Sequence, residues 1–452
     1  MRPADRTLAE RYLDQLAAAG TPPADLLAAA VACEPLAVAY QGRFLPQPVF
    51  LTAAERAALA ADLRAVHDLL VSLPERLFGG SRAALARAVG MTPVQAALVD
   101  AAGGGPLTPL ARADLYRTAD GFRLLEHNIT SALGGFENAE INRAMLRHPA
   151  LAGFVAEHRL GYVDTLRAMV DTMFAEHGLD AAAGPRVALL DSPGSFPTFG
   201  PRLEVMARLL VAWGIDAVPG HLGQLTERAG RLLLAGRPVD AVFRYYLVEE
   251  VTGEADAALV ARVERAARAG AVALTSRLDA EAYGNKGALA MLSDDRHAAA
   301  FTSAERACVE RVLPWTRPLR RTGTSWYGER VDLVRFALAH REVLVLKPTN
   351  EHGGSGIVPG WTVGDAEWAA RLAEAAGRPY VLQRRVRPAP EPFADPSGRR
   401  DLVLNWGVFL VDPAATGIAD GFGGCIVRGS PDAEVGVISM GGGARVGCCF
   451  TG

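Results

Sequence analysis

The sequence predicts a mixed α/β protein with a helical N-terminal region, a small parallel α/β domain and a strand-rich C-terminal part. Residues 186–218 alternate between the strand-like RVALLD, the helix-like PRLEVMARLLVAWG and the strand-like IDAV, which is the β-α-β order of a parallel sheet. Farther along, the apolar runs REVLVLKP, PYVLQRRV and DLVLNWGVFLV are typical of strands. The expected fold class is therefore α/β (α+β).

Residues 1–104 have the pattern of helices. Thr52 and Glu55 have the spacing of a capping box, and the residues after them form one apolar stripe at helical spacing. The members of this stripe are Leu59, Leu63, Val66 and Leu70. The Gly/Pro-rich run AAGGGPLTP at 101–109 then ends the helical region.

Changes in sequence pattern divide the rest of the chain into three further segments. They are residues 105–182, with two strands around an Asp-Gly turn and then helices; residues 183–280, the small α/β domain; and residues 281–452, with a glycine-rich loop and the strand-rich end.

Composition excludes several functional classes. The 452 residues are 50% hydrophobic and only 21% charged, which fits a compact protein of several packed units. A net charge of −3 gives no basic footprint for nucleic acid. The five scattered cysteines lack C-x-x-C spacing, and we find no signal-peptide pattern and no run of 18 apolar residues. We therefore expect a cytoplasmic protein with no membrane span; its oligomeric state is open.

The first candidate site lies on the two strands around the predicted turn. Arg112 and Asp114 form R-x-D, and Glu126 and Asn128 form E-x-N twelve residues after the aspartate. Period-two spacing puts each pair on one strand face, and a hairpin through Asp120-Gly121 would bring the faces together. Carboxylate and amide oxygens suit Mg²⁺, and the arginine would meet a phosphoryl group. An exposed hairpin with a salt bridge would show the same residues.

The second candidate site contains Lys286 in GNKGALAML and Lys347 in VLVLKPTNEHGGSG, in a chain whose basic residues are overwhelmingly arginine. A lysine at the end of an apolar strand can place its charge on phosphate oxygens, while the glycines at 353, 354 and 356 let loop N–H groups cover them. A surface lysine before an ordinary loop is the alternative. No GxGxxG, GxxxxGK[ST] or GxSxG motif is present.

A third candidate is Gln383, a polar residue at the end of the apolar strand YVLQRRV. In a nucleotide cleft, this position would read the adenine edge. A glutamine satisfied within a core or hinge would occupy the same place.

Taken in order, RADLYRTADGFRLLEHN, NKGALAML, LKPTNEHGGSG and YVLQRRV resemble the circularly permuted ATP-grasp ligases, especially the group that contains glutathionylspermidine synthetase. The resemblance covers about residues 105–452 and leaves 1–104 outside. NEHGGSG lacks the arginine of that group's glycine loop, and VRGSPDAEVGVISMGGGARVG is more similar to other permuted relatives.

The resemblance implies an ATP-grasp fold in circularly permuted order, with residues 183–280 as the small domain that precedes ATP-grasp modules. It further implies ATP and Mg²⁺ as cofactors and assigns a role to each matched residue. The implied roles are Mg²⁺ ligation by Asp114, Glu126 and Asn128; phosphate and acyl-phosphate contact by Arg112; ATP-phosphate contact by Lys286, Lys347, Gly353, Gly354 and Gly356; and adenine contact by Gln383.

The expected activity is ATP-dependent carboxylate–amine ligation through an acyl phosphate, on small-molecule or peptide substrates. Arg428 and Ser439 would line the carboxylate side of the cleft, because an acyl phosphate requires positive charge and donors. His127 should point away from the metal face. A phosphotransferase and a noncatalytic ATP-binding scaffold are the alternatives.

Overall fold

The computed structural model describes residues 6–103, 107–320, 323–351, 353–396 and 398–452. The helices are α1 Leu8–Ala19, α2 Pro23–Val31, α3 Glu34–Tyr40, α4 Ala53–Val71, α5 Leu73–Phe78, α6 Arg82–Ala88, α7 Pro93–Ala102, α8 Asn138–Met145, α9 Pro149–Glu157, α10 Thr165–His177, α11 Phe196–Ala212, α12 Glu254–Arg268, α13 Ala280–Tyr283, α14 Lys286–Ser293, α15 Ser303–Val312, α16 Leu333–Ala339, α17 Asp365–Ala375 and α18 Pro413–Thr416.

The strands follow the same numbering along the chain. They are β1 Val49–Leu51, β2 Ala111–Thr118, β3 Gly121–Ile129, β4 Arg186–Asp191, β5 Asp216–His221, β6 Thr226–Arg228, β7 Arg231–Leu234, β8 Arg237–Pro238, β9 Ala241–Arg244, β10 Ala273–Thr275, β11 Thr316–Pro318, β12 Gly323–Trp326, β13 Glu329–Asp332, β14 Leu344–Pro348, β15 Val358–Pro359, β16 Tyr380–Arg384, β17 Glu391–Asp395, β18 Gly398–Leu410, β19 Phe422–Ser430 and β20 Arg445–Thr451.

The largest sheet has the strand order β1-β20-β19-β18-β2-β3, with β17 also paired to β18. Its pairs are antiparallel except for β1, which runs parallel to β20 and places Val49 beside Cys449. Alternate residues of its strands point to opposite faces, so Val427 and Ile426 belong to two different hydrophobic clusters. Helix α4 packs in the first cluster, and α1, α3 and α8 contribute to the second.

Two smaller sheets are built from strands that lie between β3 and β17 along the chain. The order β10-β9-β4-β5 is parallel throughout, which confirms the parallel sheet predicted from the β-α-β alternation. The order β11-β16-β14-β15 is antiparallel and forms its own core with α16 and α17 around the fully buried Trp368. The mixed α/β class expected from the sequence is therefore present.

Three predictions of local structure need correction. The region 1–104 is not purely helical, because Val49–Leu51 form a buried edge strand of the largest sheet. The strand expected for 341–348 begins only at Leu344, where burial begins, because Glu342 and Val343 are exposed in a 3₁₀ turn. Helix α11 starts at Phe196, five residues before the PRLEV pattern.

Other predictions hold. The side chain of Thr52 accepts the N–H of Glu55 in a complete capping box, and the predicted apolar stripe of α4 is buried. The boundary drawn at 104 falls on residues 104–106, outside the described residues. In the part of the chain that the structure describes, no helix combines the length and apolarity needed to cross a bilayer.

Gly284 fixes the position of α14 against β3. A Cβ atom at Gly284 would lie 2.6 Å from the backbone nitrogen of Ile129, so an alanine there must push the helix away from the strand. We expect Gly284→Ala to lower the free energy of unfolding by about 1–3 kcal/mol in a urea titration.

The control is the same substitution at Gly153, an exposed position inside α9 (Pro149–Glu157) where a Cβ would meet nothing within 4 Å. Because alanine is the better helix former, Gly153→Ala should stabilise the protein by about 0.5–1 kcal/mol. Effects of the same sign in both variants would contradict the proposed packing of α14.

Candidate functional site

The hairpin β2–β3 carries the first group of predicted site residues. Ala119 and Asp120 form its turn, one residue before the predicted Asp120-Gly121, because Gly121 already pairs with Thr118 in the hairpin. The antiparallel register places Arg112 opposite Asn128 and Asp114 opposite Glu126. The strand register shifts between Asp114 and Leu115, immediately after the predicted group. Period-two alternation therefore brings the four predicted residues to one face of the hairpin, as the sequence indicates.

Asp114 is buried between two guanidinium groups. Arg112 donates to its carboxylate from Nε and Nη2, each at 3.2 Å, and Arg428 on β19 donates from Nη2 at 2.8 Å. Burial alone would raise the pKa of Asp114, but the two arginines outweigh it and hold that pKa below its ordinary value. The aspartate is therefore ionised at neutral pH.

Glu126 is paired with a lysine from another element. Lys286, the first residue of α14, places Nζ 2.8 Å from Glu126 Oε1 and donates to the carbonyl oxygen of Glu351 at 2.6 Å. The helix begins here because the Asn285 side chain accepts the N–H of Gly287 as an N-cap. Lys286 thus joins the hairpin to the start of the glycine-rich loop.

Lys347 and Gln383 lie side by side on β14 and β16. Lys347 Nζ donates to Gln383 Oε1 at 2.6 Å and to the carbonyl oxygen of Leu125 at 3.3 Å, while Gln383 Nε2 donates to Thr316 at 3.1 Å. Burial lowers the pKa of Lys347 to about 8, although Glu126 acts in the opposite direction. The amide of Gln383 is engaged in this structure, and its contact with adenine stays a prediction.

A cleft of about 310 Å³ lies where the hairpin meets the β11-β16-β14-β15 sheet. This volume is within the range of ligand sites. Most of the predicted site residues line it: Arg112, Asp114, Glu126, Asn128, Lys347, Gly353, Gly354, Gln383, Arg428 and Ser439. Lys286 and Gly356 are not among its lining residues, because Lys286 lies behind Glu126 and Gly356 packs against Glu351 and Pro348.

The glycine-rich loop between β14 and β15 covers one side of the cleft. Gly353, Gly354 and Gly356 all have φ between 64° and 87°, a region that suits glycine. A Cβ at Gly354 would lie 3.0 Å from Val437, so the loop closely approaches the segment between β19 and β20. His352, part of the predicted loop, lies outside the described residues.

The segment 431–444, between β19 and β20, reaches the antiparallel sheet from the other side. The indole N–H of Trp361 donates to the carbonyl oxygen of Glu434 at 2.9 Å, and Arg385 pairs with the Glu434 carboxylate. Arg385 also stacks 3.9 Å over the Trp361 ring. These contacts join segment 431–444 to the sheet of β14 and β16 beside the cleft.

Ser439 lies in the same segment and lines the cleft, as predicted. Its hydroxyl accepts the N–H of Gly442 at 3.1 Å within a turn. This bond gives the residue a structural role in addition to any contact with a substrate.

Some cleft residues were not found from the sequence. Asn405 on β18 accepts from Arg428 at 2.7 Å and fixes that guanidinium beside Asp114. Tyr116 continues the face of Arg112 and Asp114, and Phe199 and Leu247 come from the small α/β domain. The period-two pattern of β2 could have indicated Tyr116, whereas the others depend on pairings between distant segments.

His127 points to the opposite face of β3, as predicted. Its Nε2 lies 3.3 Å from Nδ1 of His67 on α4, and both rings are buried. Burial is the main cause that lowers the pKa of each histidine, which keeps the pair neutral at pH 7. The two histidines therefore pack between the largest sheet and α4.

The residues on the hairpin face fit Mg²⁺ through their chemistry. Asp114 and Glu126 provide two carboxylates, and Asn128 donates its Nδ2 to the Arg112 carbonyl at 3.5 Å, which leaves the amide oxygen as the group for a metal. Mg²⁺ commonly takes one or two carboxylates and completes its shell with phosphate and water. Within the described ranges, no group of three His, Cys, Asp or Glu residues could hold a metal ion.

The buried Lys347 should make stability depend on pH between about 8 and 10.5. Its pKa is lower in the folded protein than in the unfolded chain, so the cost of burying its charge is fully present below pH 8 and disappears as pH rises toward 10.5. We expect the unfolding free energy of the wild type, minus that of Lys347→Met, to rise by about 3 kcal/mol over this range. Urea titrations at several pH values measure it.

The internal control is the range from about pH 5.5 to 7, where the same difference should stay constant because the lysine is protonated in both states. Parallel stability curves from pH 8 to 10.5 would contradict the lowered pKa of Lys347.

Comparisons with known proteins give a likeness of fold. No protein-family model matches the sequence, and no curated protein matches it. The glutathione synthetase-like effector GSS30 of Globodera pallida, in its apo form, matches over 100% of this chain and 99% of its own, at 12% identity and a TM-score of 0.52. A candidate gamma-glutamylcysteine synthetase of Methylobacillus flagellatus KT covers 85% of this chain and 86% of its own, at 12% identity. Its TM-score of 0.42 is too low to indicate a shared fold. The chain therefore has a glutathione synthetase-like fold, and the narrower resemblance to the glutathionylspermidine group is not supported.

Proposed function

We propose that this chain is an ATP-dependent ligase of the ATP-grasp type, in circularly permuted order, that joins a carboxylate to an amine and forms ADP and phosphate. The observation that carries the proposal is the concentration of opposite charges at one cleft. The cleft is lined by the cations Arg112, Arg428 and Lys347 and by the carboxylates Asp114 and Glu126, and Lys286 pairs with Glu126 from outside the lining.

The cations outnumber the carboxylates, so the cleft has an excess of positive charge that suits a triphosphate. Lys347 and the loop glycines Gly353 and Gly354 lie on one side of the cleft, where they would contact the ATP phosphates. Their place in a partly enclosed cleft strengthens such contacts relative to bulk water. Chain order supports the permuted arrangement, because the hairpin with the carboxylates precedes the strand with Lys347.

Asp114, Glu126 and Asn128 would hold Mg²⁺, which neutralises phosphate charge when it is bound. Arg112 and Arg428 already lie at the hairpin and would stabilise the phosphoryl group during transfer. The protein therefore supplies position and charge, and none of its side chains has to act as a nucleophile.

The reaction has two steps. A carboxylate oxygen of the acid attacks the γ-phosphorus of ATP, the bond from that phosphorus to the bridging oxygen breaks, and ADP leaves with the electron pair. The amine nitrogen then attacks the acyl carbon, the bond from carbon to the phosphate oxygen breaks, and phosphate leaves while the amine loses a proton to solvent. The contacts of segment 431–444 with the antiparallel sheet would limit access of water to the acyl phosphate.

The first test is ADP release from ATP with a pool of carboxylic acids, and with hydroxylamine as a small amine that converts an acyl phosphate to a hydroxamate. The wild type should form ADP and hydroxamate only with Mg²⁺ and an acid. Asp114→Asn and Lys347→Met should each lower the rate at least about 100-fold, because the first removes a proposed Mg²⁺ ligand and the second a proposed phosphate contact.

The matched control is Asp25→Asn, the same carboxylate-to-amide change at an exposed residue of α2, which should keep wild-type activity. Equal ADP formation with and without acid would contradict ligation and indicate a hydrolase. A product that gains phosphate instead of losing water would indicate a phosphotransferase. ATP binding without turnover would favour a noncatalytic scaffold.

A further inference from the structure

The cleft extends past Arg112 to an end that the nucleotide and metal residues do not occupy. Arg112 marks the junction, because its Nη1 donates to the carbonyl oxygen of Gly134 at 2.8 Å while its other nitrogens contact Asp114. The wall of this far end is formed by the segment after β3 and by two residues of the small α/β domain. Its members are Thr130, Ala132, Leu133, Gly134, Phe199 and Leu247.

None of these six residues has an ionisable side chain, in contrast to the charged hairpin face beside them. Thr130 has the one hydroxyl of the set, and its oxygen accepts from Arg244 Nη2 at 3.0 Å and from the N–H of Ala132 at 3.1 Å. The far end is therefore mainly apolar, with its single hydroxyl engaged in the protein's own hydrogen bonds.

Two further arginines lie beside this wall, and each has a carboxylate partner within the protein. Arg244, which donates to Thr130, pairs with the buried Glu281. A guanidinium nitrogen of Arg202 lies 3.5 Å from where a Cβ of Gly134 would be. Its guanidinium makes hydrogen bonds of 2.7–3.0 Å with both carboxylate oxygens of the fully buried Glu137. Tyr40 also donates to that carboxylate at 2.9 Å. Arg202 thus has a strong carboxylate partner within the protein.

Phe199 provides the clearest sign that the wall meets an apolar ligand. It lies in the first turns of α11 and is 50% exposed, and in the described part of the chain no other phenylalanine is classed as exposed. Phe199 lines the cleft, and ligand pockets are lined mainly by hydrophobic and aromatic side chains. Leu247 lines the same end of the cleft.

We infer that the acid substrate is a monocarboxylic acid with an uncharged, apolar tail, whose carboxylate lies near Arg112 and whose tail lies against Leu133, Phe199 and Leu247. This inference rests on the proposed function for the role of the carboxylate. The wall itself disfavours acids whose tail ends in a second charge, because that charge would lose its hydration beside apolar side chains.

Two measurements test the tail. The first is the binding of hexanoate, 6-aminohexanoate and adipate in the presence of Mg²⁺ and ADP, detected by the broadening of their NMR lines. These three acids share a six-carbon chain and differ in the charge at its end. The second is hydroxamate formation from the same three acids with ATP and hydroxylamine. We expect hexanoate to bind at least about tenfold more tightly than the other two and to give the lowest KM.

The variant Phe199→Ala should weaken hexanoate binding about tenfold and leave adipate unchanged, since it removes apolar contact only. Phe199→Glu should abolish the preference for hexanoate. The control is Val211→Ala on the same helix, a residue that is 56% exposed and does not line the cleft. Because both positions are exposed, these variants should fold as the wild type does.

The possible outcomes distinguish a failure of the inferred apolar tail site from a failure of the proposed ligase activity. Hexanoate that binds through Phe199 but gives no hydroxamate would uphold the apolar site and overturn the ligase. Hydroxamate formed more efficiently from adipate or 6-aminohexanoate would uphold the ligase and overturn the apolar tail. Equal binding of all three acids, or no effect of Phe199→Glu, would also overturn the inference.

Discussion

The ion pairs on the β2–β3 hairpin are the interaction on which the cleft depends. Asp114 is buried, and an isolated buried carboxylate would be costly, so its position requires the guanidinium groups of both Arg112 and Arg428. Those arginines belong to β2 and β19, which are not neighbours in the sheet, and Asn405 on the intervening β18 holds one of them in place. One carboxylate thereby fixes the relative position of three strands.

The second pair extends this constraint beyond the sheet. Lys286 connects Glu126 to the backbone of the glycine-rich loop, so the hairpin, α14 and the loop are linked through one ammonium group. If ATP and Mg²⁺ bind as proposed, the phosphates and the metal would take over partners that the cations and carboxylates now provide for each other. The charged side chains would then change partners while staying charged and in place. Such preorganised charges are what phosphoryl transfer requires.

How much the sequence predicted depended on how local each feature is. The hairpin and the shared face of Asp114 and Glu126 follow from period-two spacing over less than twenty residues, and the structure has both, with the turn one residue earlier than predicted. The contacts of Asn405 and Phe199 with the cleft depend on how separate sheets pack, and no local pattern carries that information. Lys286 illustrates the limit, because its motif was recognised but its place behind Glu126 was not.

The edge strand β1 has a consequence for how the chain reaches its folded state. Val49 pairs with Cys449, about 400 residues later, and the pairing completes the edge of the largest sheet. Contacts between such distant residues form slowly, since the entropy of closing a long loop is lost before the contact stabilises anything. During synthesis, β1 has no partner strand until β20 has left the ribosome. Until then the apolar residues of β1 are exposed, and a chaperone could bind them.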